Sequence, residues 1–259
     1  MQNNIFLGLF VGHNTVTLNE VDSTNIYLKQ LLSNSKPLPE GTVIMAGKQT
    51  NGRGQAQNSW QSEEGKNITL SILLNPKFLG VKNQFDLNIV VSLGLNDVLT
   101  NYFGDLALIK WPNDCYIGQY KIGGILIENL IQGNLLKHAI IGIGLNINQT
   151  IFPEELTNVT SFKKMLHTDY DLNRLKNEIC SSIEARYLQL KAGKGKELFA
   201  AYLGKLYLFH KWADFIIDGS VKKGKICGVT SEGFLRVETE QELRTFGIKE
   251  IQFCKVTQS

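Results

Sequence analysis

The sequence predicts an α+β protein: a mixed, mainly antiparallel sheet packed with helices, followed by a small β-barrel. Three observations predict it. Between Thr15 and Asn146, short strand-like runs are interrupted by only two helical ones. From Leu172 to Leu206 the pattern is helical. After Lys211 it changes to short β-rich pieces punctuated by Asp218-Gly219 and Glu232-Gly233 turns, which suits a barrel of roughly SH3 size. The boundary falls near residue 210 and divides the chain into a larger unit, 1–210, and a C-terminal one, 211–259.

Thr15 to Val21 alternates apolar and polar residues as a strand does, and Asp22-Ser23-Thr24 offers capping side chains to a short helix running toward Leu32. Pro37, Pro39 and Gly41 mark a loop. Thr42 to Lys48 then reads as a buried strand leading into the glycine-rich Asn51 to Gly54, and Ile68 to Leu74 as the next strand. Between Phe85 and Tyr102, Leu87, Val90, Val91, Leu95, Val98 and Leu99 recur at three- and four-residue spacing, which predicts a helix packed on the sheet. Leu106 to Lys110, Cys115 to Ile117, Lys121 to Leu130 and Leu135 to Asn146 alternate with turn residues, as in an antiparallel meander. Pro153 to Leu156 and Leu172 to Leu190 return to helical pattern, and Gly193-Lys194-Gly195 separates the latter from a short helix over Leu198 to Leu206. The last strands are Ala213 to Ile217, Lys225 to Val229, Phe234 to Glu238, Leu243 to Phe246 and Ile251 to Val256.

Composition narrows the function. Of 259 residues, 43% are hydrophobic and 20% charged, which places the chain with globular proteins rather than disordered ones. The 27 basic and 24 acidic residues leave a net charge of +3, too small and dispersed to imply a nucleic-acid partner. Met1 to Phe10 lacks a basic leader and a cleavage site, and no apolar run reaches spanning length, so no membrane partner is expected and the cytoplasm is the expected compartment. Cys115, Cys180, Cys227 and Cys254 form no C-x-x-C pair, and His13, His138, His167 and His210 are scattered, so neither a metal site nor a catalytic triad is expected.

Three clusters carry chemistry. Gln49-Thr50-Asn51-Gly52-Arg53-Gly54, followed by Trp60, Gly65 and Asn67, is a glycine-punctuated loop with one arginine. Glycines let backbone amides turn toward an anion, and the guanidinium pairs with phosphate or carboxylate oxygens. Taken alone it is equally an ordinary exposed loop. In Lys110-Trp111-Pro112-Asn113-Asp114, followed by Lys121, Gly123, Gly124 and Glu128, the returning strand sets a carboxylate and an ammonium on neighbouring strand ends, facing one ligand or merely each other. Ile141 to Asn148 holds G-x-G-x-N at the end of an apolar strand; it lacks the third glycine and the following helix of a dinucleotide fingerprint.

In order and spacing these clusters, with Asp22-Ser23-Thr24-Asn25, resemble the catalytic domain of biotin protein ligases over roughly residues 15 to 160, and the C-terminal unit is similar to the extra domain those enzymes carry. The resemblance implies a class II synthetase-like catalytic domain that binds biotin and ATP, with magnesium carried on the triphosphate. The partner it implies is a biotin carboxyl carrier domain, and the assembly a monomer or a homodimer. By the same resemblance Ser23, Thr24 and Gln49 hold the ureido ring of biotin, while Gly52, Arg53 and Gly54 close over the biotinyl and phosphate groups. Gly123 and Gly124 belong to the biotin site, and Trp60 lies beside the adenylate. Asn113 and Asn146 serve ATP, Asn146 at the adenine edge, and Gly142 and Gly144 leave room for the ligand. Lys121 contacts the biotin carboxylate and the α-phosphate, and Asp114 orients Lys121 or takes a proton from the incoming amine. Arg53, Lys121 and Asp114 form the implied catalytic set.

Where many members of that family carry a second arginine and a further glycine, this chain has Gln55 and Gln57, which predicts looser retention of the adenylated intermediate. Lipoate ligases share the fold, but their arginine-arginine and glycine-triplet signature is absent. A DNA-binding regulator would need a helix-turn-helix ahead of Ser23, where only about twenty residues stand and begin as strand. A non-catalytic binding module is disfavoured because Arg53, Asp114 and Lys121 are all present.

Overall fold

A computed structural model describes residues 8–34, 37–55 and 58–254. The first strand, β1 (Thr15–Val21), runs into α1 (Thr24–Ser33) and returns as β2 (Val43–Gln49), which pairs parallel with β1. β3 (Ile68–Leu74) follows antiparallel to β2, and α2 (Gln84–Phe103) crosses behind it. Then come β4 (Ala107–Lys110), β5 (Asp114–Ile117), β6 (Tyr120–Gln132) and β7 (Leu135–Leu145), the expected antiparallel meander. The sheet order is β1-β2-β3-β7-β6-β5-β4, with β1–β2 the single parallel pair.

Every residue of β3 is buried, because helices cover both faces of the sheet's centre. Alternation divides the strand. Ile68, Leu70, Ile72 and Leu74 join the main core with residues of α2, whereas Leu73 packs with Leu28 of α1, Ile44 and Ile140 on the other face. Ser71 shares that second face, and this brings a buried hydroxyl to the start of α1. Behind α2 lie α3 (Phe162–Leu166), α4 (Leu172–Lys191) and α5 (Gly195–Gly204).

Two local expectations are corrected. Pro153 to Leu156 forms turns and no helix; Glu154, Glu155 and Leu156 are exposed, so a helix there would have no apolar face to bury. The helix lies downstream at α3, where the hydroxyl of the fully buried Ser161 accepts the Lys164 N–H at 3.1 Å. Ser23 stands at the N-cap of α1 but makes no capping hydrogen bond; its own N–H donates to Asp22 Oδ1 at 2.7 Å. Gln57 and the end of the strand expected over Ile251 to Val256 lie outside the described residues.

The C-terminal part is a five-stranded antiparallel sheet of β8 (Trp212–Ile217), β9 (Ser220–Val229), β10 (Leu235–Thr239), β11 (Leu243–Phe246) and β12 (Ile251–Phe253), in the order β11-β10-β9-β8-β12. Asp218 and Gly219, at φ 52° and 74°, make the two-residue hairpin between β8 and β9. Its apolar side, including Phe215, Ile226, Val237 and Phe246, is continuous with the main core. The Gly233 turn fastens the contact: its carbonyl accepts from Trp111 Nε1 at 2.9 Å, and a Cβ there would meet the Phe85 ring at 2.5 Å.

Burial sets a pH limit on this core. It raises the Cys115 and Cys180 thiols from 9.0 to about 12. Raised folded values contribute stability that is complete below pH 9 and is lost as pH rises toward 12, because only the unfolded thiols ionise in that window. Chemical denaturation between pH 8 and 11 is expected to show level stability and then a fall. The double change Cys115→Ala/Cys180→Ala should reduce the slope by up to about 3 kcal/mol per pH unit. An unaltered slope would refute the assignment.

Candidate active site

A cavity of about 500 Å³ lies where α1, β2, the meander and the C-terminal sheet converge, a volume suited to a small organic ligand. One wall is built of hydroxyls and amides. Thr24 at the start of α1 directs both its backbone N–H (2.8 Å) and its hydroxyl (3.1 Å) to Gln49 Oε1 at the end of β2, and the Ser71 hydroxyl lies 2.8 Å from that of Thr24. Ser71 also reaches Asn25 Oδ1 at 2.6 Å, and Asn25 Nδ2 donates to Glu128 Oε2 at 2.8 Å. The other oxygen of Glu128 takes Arg53 Nη1 at 3.2 Å, so a continuous polar chain joins the glycine loop to the wall.

A second wall is charged. Lys121 Nζ stands 2.6 Å from Asp114 Oδ1. Segment 158–160 runs beside the start of β6 and pins Lys121 through both backbone groups: Lys121 N–H to the Asn158 carbonyl and Thr160 N–H to the Lys121 carbonyl, each at 2.8 Å. Gly124 faces the pair, with space for a Cβ only 3.3 Å from Asp114 Oδ1. Nearby, burial lowers the pKa of Lys110, an effect the Asp114 carboxylate opposes. Its ammonium lies 3.0 Å from the Tyr116 hydroxyl and 4.7 Å over the Phe253 ring, tying β4 to β12.

Ser23, Thr24, Gln49, Arg53, Gly54, Trp60, Asn113, Asp114, Lys121 and Gly124 all line this one cavity, although Asn113 spends its side-chain amide on the Ile125 carbonyl. Three expected site residues stand behind the wall. Gly52 is buried against the Trp60 carbonyl, and Gly123 packs on the Gly144 carbonyl, where a Cβ would come within 2.6 Å. Asn146 is buried and donates to the Thr160 carbonyl at 3.1 Å, so its amide braces the segment that pins Lys121. Gly142 and Gly144 line the cavity, where a Cβ at Gly142 would lie 2.6 Å from Asn25 Oδ1 and one at Gly144 would enter the Trp60 indole.

Sequence reasoning missed Ser71, the role of Asn25 and Glu128 in the chain, and the wall contributed by Ile248, Lys249, Ile251, Gln252 and Phe253. Ser71 had a signal, a hydroxyl inside an otherwise apolar run, Ile68 to Leu74, which it shares only with Thr69. Residues 248–253 had none, since nothing local says that a remote turn closes this cavity.

Residues 18–146 match the biotin/lipoate A/B protein ligase family. The bifunctional ligase/repressor BirA of Bacillus subtilis (strain 168) is 30% identical over 247 residues, covering 93% of this chain and 73% of that protein. A biotin–[acetyl-CoA-carboxylase] ligase of Paracoccus denitrificans is 32% identical over 132 residues, covering 50% of this chain and 53% of that protein. Among solved structures, the biotin protein ligase from Aquifex aeolicus in complex with biotin and ATP matches with a TM-score of 0.78 at 27% identity, covering 94% of this chain and 99% of that one. The chain belongs to the biotin/lipoate A/B protein ligase family. Within that family, the Paracoccus and Aquifex relatives are biotin ligases by name.

Proposed function

We propose that the protein is an ATP-dependent biotin–protein ligase that forms biotinyl-5′-AMP and transfers biotin to one lysine of a biotin carboxyl carrier domain. The observation that carries this reading is that Arg53, the Lys121–Asp114 pair and the Thr24–Gln49 wall all face one cavity of about 500 Å³. In the first step a carboxylate oxygen of biotin attacks the α-phosphorus of ATP, and the bond to pyrophosphate breaks. In the second the acceptor amine attacks the acyl carbon, AMP leaves, and the amine loses a proton.

Negative charge builds on oxygen in both steps, and Lys121 and Arg53 are the cations in our reading that meet it. Asp114 orients the Lys121 ammonium and is the carboxylate at hand to accept the amine's proton. Ser23, Thr24 and Gln49 bind the ureido ring, Gly124 lets the acyl chain approach, and Gly52, Gly54 and Gly123 shape the walls around it. Trp60 and Asn113 flank the nucleotide. Asn146 serves ATP indirectly, through the segment it braces. Magnesium enters bound to the triphosphate, as part of the substrate.

The five-stranded sheet that begins at β8 belongs, in this reading, to an SH3-like unit. Lys249 and its neighbours in the cavity wall support a role for that unit in gripping the acceptor domain or the ATP-bound loop. Among the described residues no helix is long and apolar enough to cross a membrane, and a reaction fed by ATP and a carboxylase carrier domain fits the cytoplasm.

The test incubates purified protein with biotin, MgATP and a carrier domain while following pyrophosphate release and acceptor mass. Gain of one biotin on the acceptor supports the reading; turnover with lipoate and none with biotin would move the chain to the lipoate side of its family. Gln55 lines the cavity, and where the family resemblance implies a second arginine it offers no charge, so the intermediate should leak. We expect Gln55→Arg to slow biotinyl-AMP release about tenfold, the worth of one weak charge-assisted hydrogen bond. An unchanged release rate would sink that idea.

A further inference from the structure

We infer that Glu128 is the positioning residue that sets the donor and acceptor sense of the ligand wall and, with its other oxygen, holds Arg53 in place. This assignment of its consequence for biotin rests on the ligase reading above. Glu128 lies outside the cavity on β6, where its neighbours Gly124, Ile125 and Leu126 line the wall. A carboxylate only accepts, so its contact at 2.8 Å leaves Asn25 no choice of orientation: Nδ2 points to Glu128 and Oδ1 points to Ser71.

The consequence passes down the chain. Ser71 has one proton, and its 2.6 Å contact to Asn25 Oδ1 takes it. Ser71 Oγ is then an acceptor toward Thr24, and the Thr24 proton goes to Ser71 at 2.8 Å or to Gln49 Oε1 at 3.1 Å. Either way Thr24 offers the cavity only a lone pair. Gln49 Oε1 is taken by Thr24, so Gln49 offers only its N–H groups. A ligand therefore meets an acceptor beside a donor, the complement of an N–H next to a carbonyl, as in a cyclic urea. Reversal of the Asn25 amide would turn the Ser71 proton toward Thr24 and free the Thr24 proton for the cavity, while the Thr24 backbone N–H keeps Gln49 Oε1 in place; the Glu128 carboxylate at 2.8 Å, with the Leu126 carbonyl at 3.5 Å, opposes that reversal. Asn25 and Ser71 are buried, so each of these hydrogen bonds is made in a low-dielectric setting.

The second oxygen of Glu128 pairs with Arg53 at 3.2 Å, where the arginine side chain is 46% exposed. The two contacts separate under substitution. Glu128→Gln keeps an oxygen for Asn25 and loses the charge that holds Arg53; Glu128→Ala loses both. With the full-length protein, Glu128→Gln is expected to leave the KM for biotin within about twofold while trypsin cleaves after Arg53 several-fold faster in the absence of substrates. Glu128→Ala is expected to raise the KM for biotin about tenfold, the loss of one buried charge-assisted hydrogen bond, and to lower kcat no further than Glu128→Gln does, since both release Arg53. The positioning role is overturned if Glu128→Ala leaves the KM for biotin within twofold, or if Glu128→Gln leaves cleavage at Arg53 unchanged. Should Glu128→Ala not fold, the Glu128→Gln pair of readouts decides. Cleavage at Arg53 is read without any ligand, so failure of the ligase reading, seen as no biotin turnover in the wild type, is distinguishable from failure of this one.

Discussion

Replacement of Lys121 by alanine is expected to lower biotinyl-AMP formation by about three orders of magnitude while the protein stays folded. The loss has two physical parts. A cation aimed at developing oxygen charge in a partly closed site is worth roughly 10²- to 10³-fold when removed. Its removal also leaves Asp114 without its 2.6 Å partner, and in the ligase reading that bare carboxylate would repel the phosphates of ATP. Stability should change little, because the Lys121 side chain is a third exposed and segment 158–160 grips its backbone rather than its ammonium. Pyrophosphate release with biotin and MgATP, beside a melting curve, measures both. Activity within tenfold of wild type would remove Lys121 from the chemistry.

Gly142→Ala is the second large effect, and it comes from packing. The new methyl would sit 2.6 Å from Asn25 Oδ1, and Asn25 cannot yield cheaply, since its amide is held by Glu128 on one side and Ser71 on the other. Overpacking of this kind costs about 1–3 kcal/mol, and the displaced amide would spoil the wall it orders, so we expect a lower melting temperature together with a KM for biotin raised at least tenfold. Gly204→Ala is the matched control. A Cβ there meets nothing within 4 Å at the end of α5, and its substitution should be neutral or stabilising by up to about 1 kcal/mol. Equal behaviour of the two variants would show that the Asn25 contact is not tight.

The elements that could be read in advance are those whose evidence is local. β3 coincides with the apolar run Ile68 to Leu74, and α2 with the three- and four-residue spacing from Phe85. The meander from β4 to β7 follows from turn residues between short strands, and with it the Lys121–Asp114 encounter. The failures are instructive in the same terms. Pro153 to Leu156 has the residues of a helix start but no apolar face to bury, and α3 forms instead around Ser161, whose hydroxyl meets an N–H three residues on. The glycines at 142 and 144 were expected from the family resemblance to leave room for the ligand; they line the cavity, and the sequence had no way to show that Asn25 and the Trp60 indole stand beside them.

What the sequence by itself determined was the order of the strands and helices and the identity of the charged and hydroxyl residues, because periodicity, turn chemistry and motif spacing act within a few residues of one another. Its resemblance to a family supplied roles for those residues. Only the tertiary structure decided which of them share the cavity and which stand behind it, as Gly52, Gly123 and Asn146 do. It also decided that residues 248–253 close the site and that Glu128 links Arg53 to Asn25 across 75 positions on one side and 103 on the other. Contacts of that span are set by which faces of the two sheets pack together, and packing is a property of the assembled core that no short stretch of chain contains.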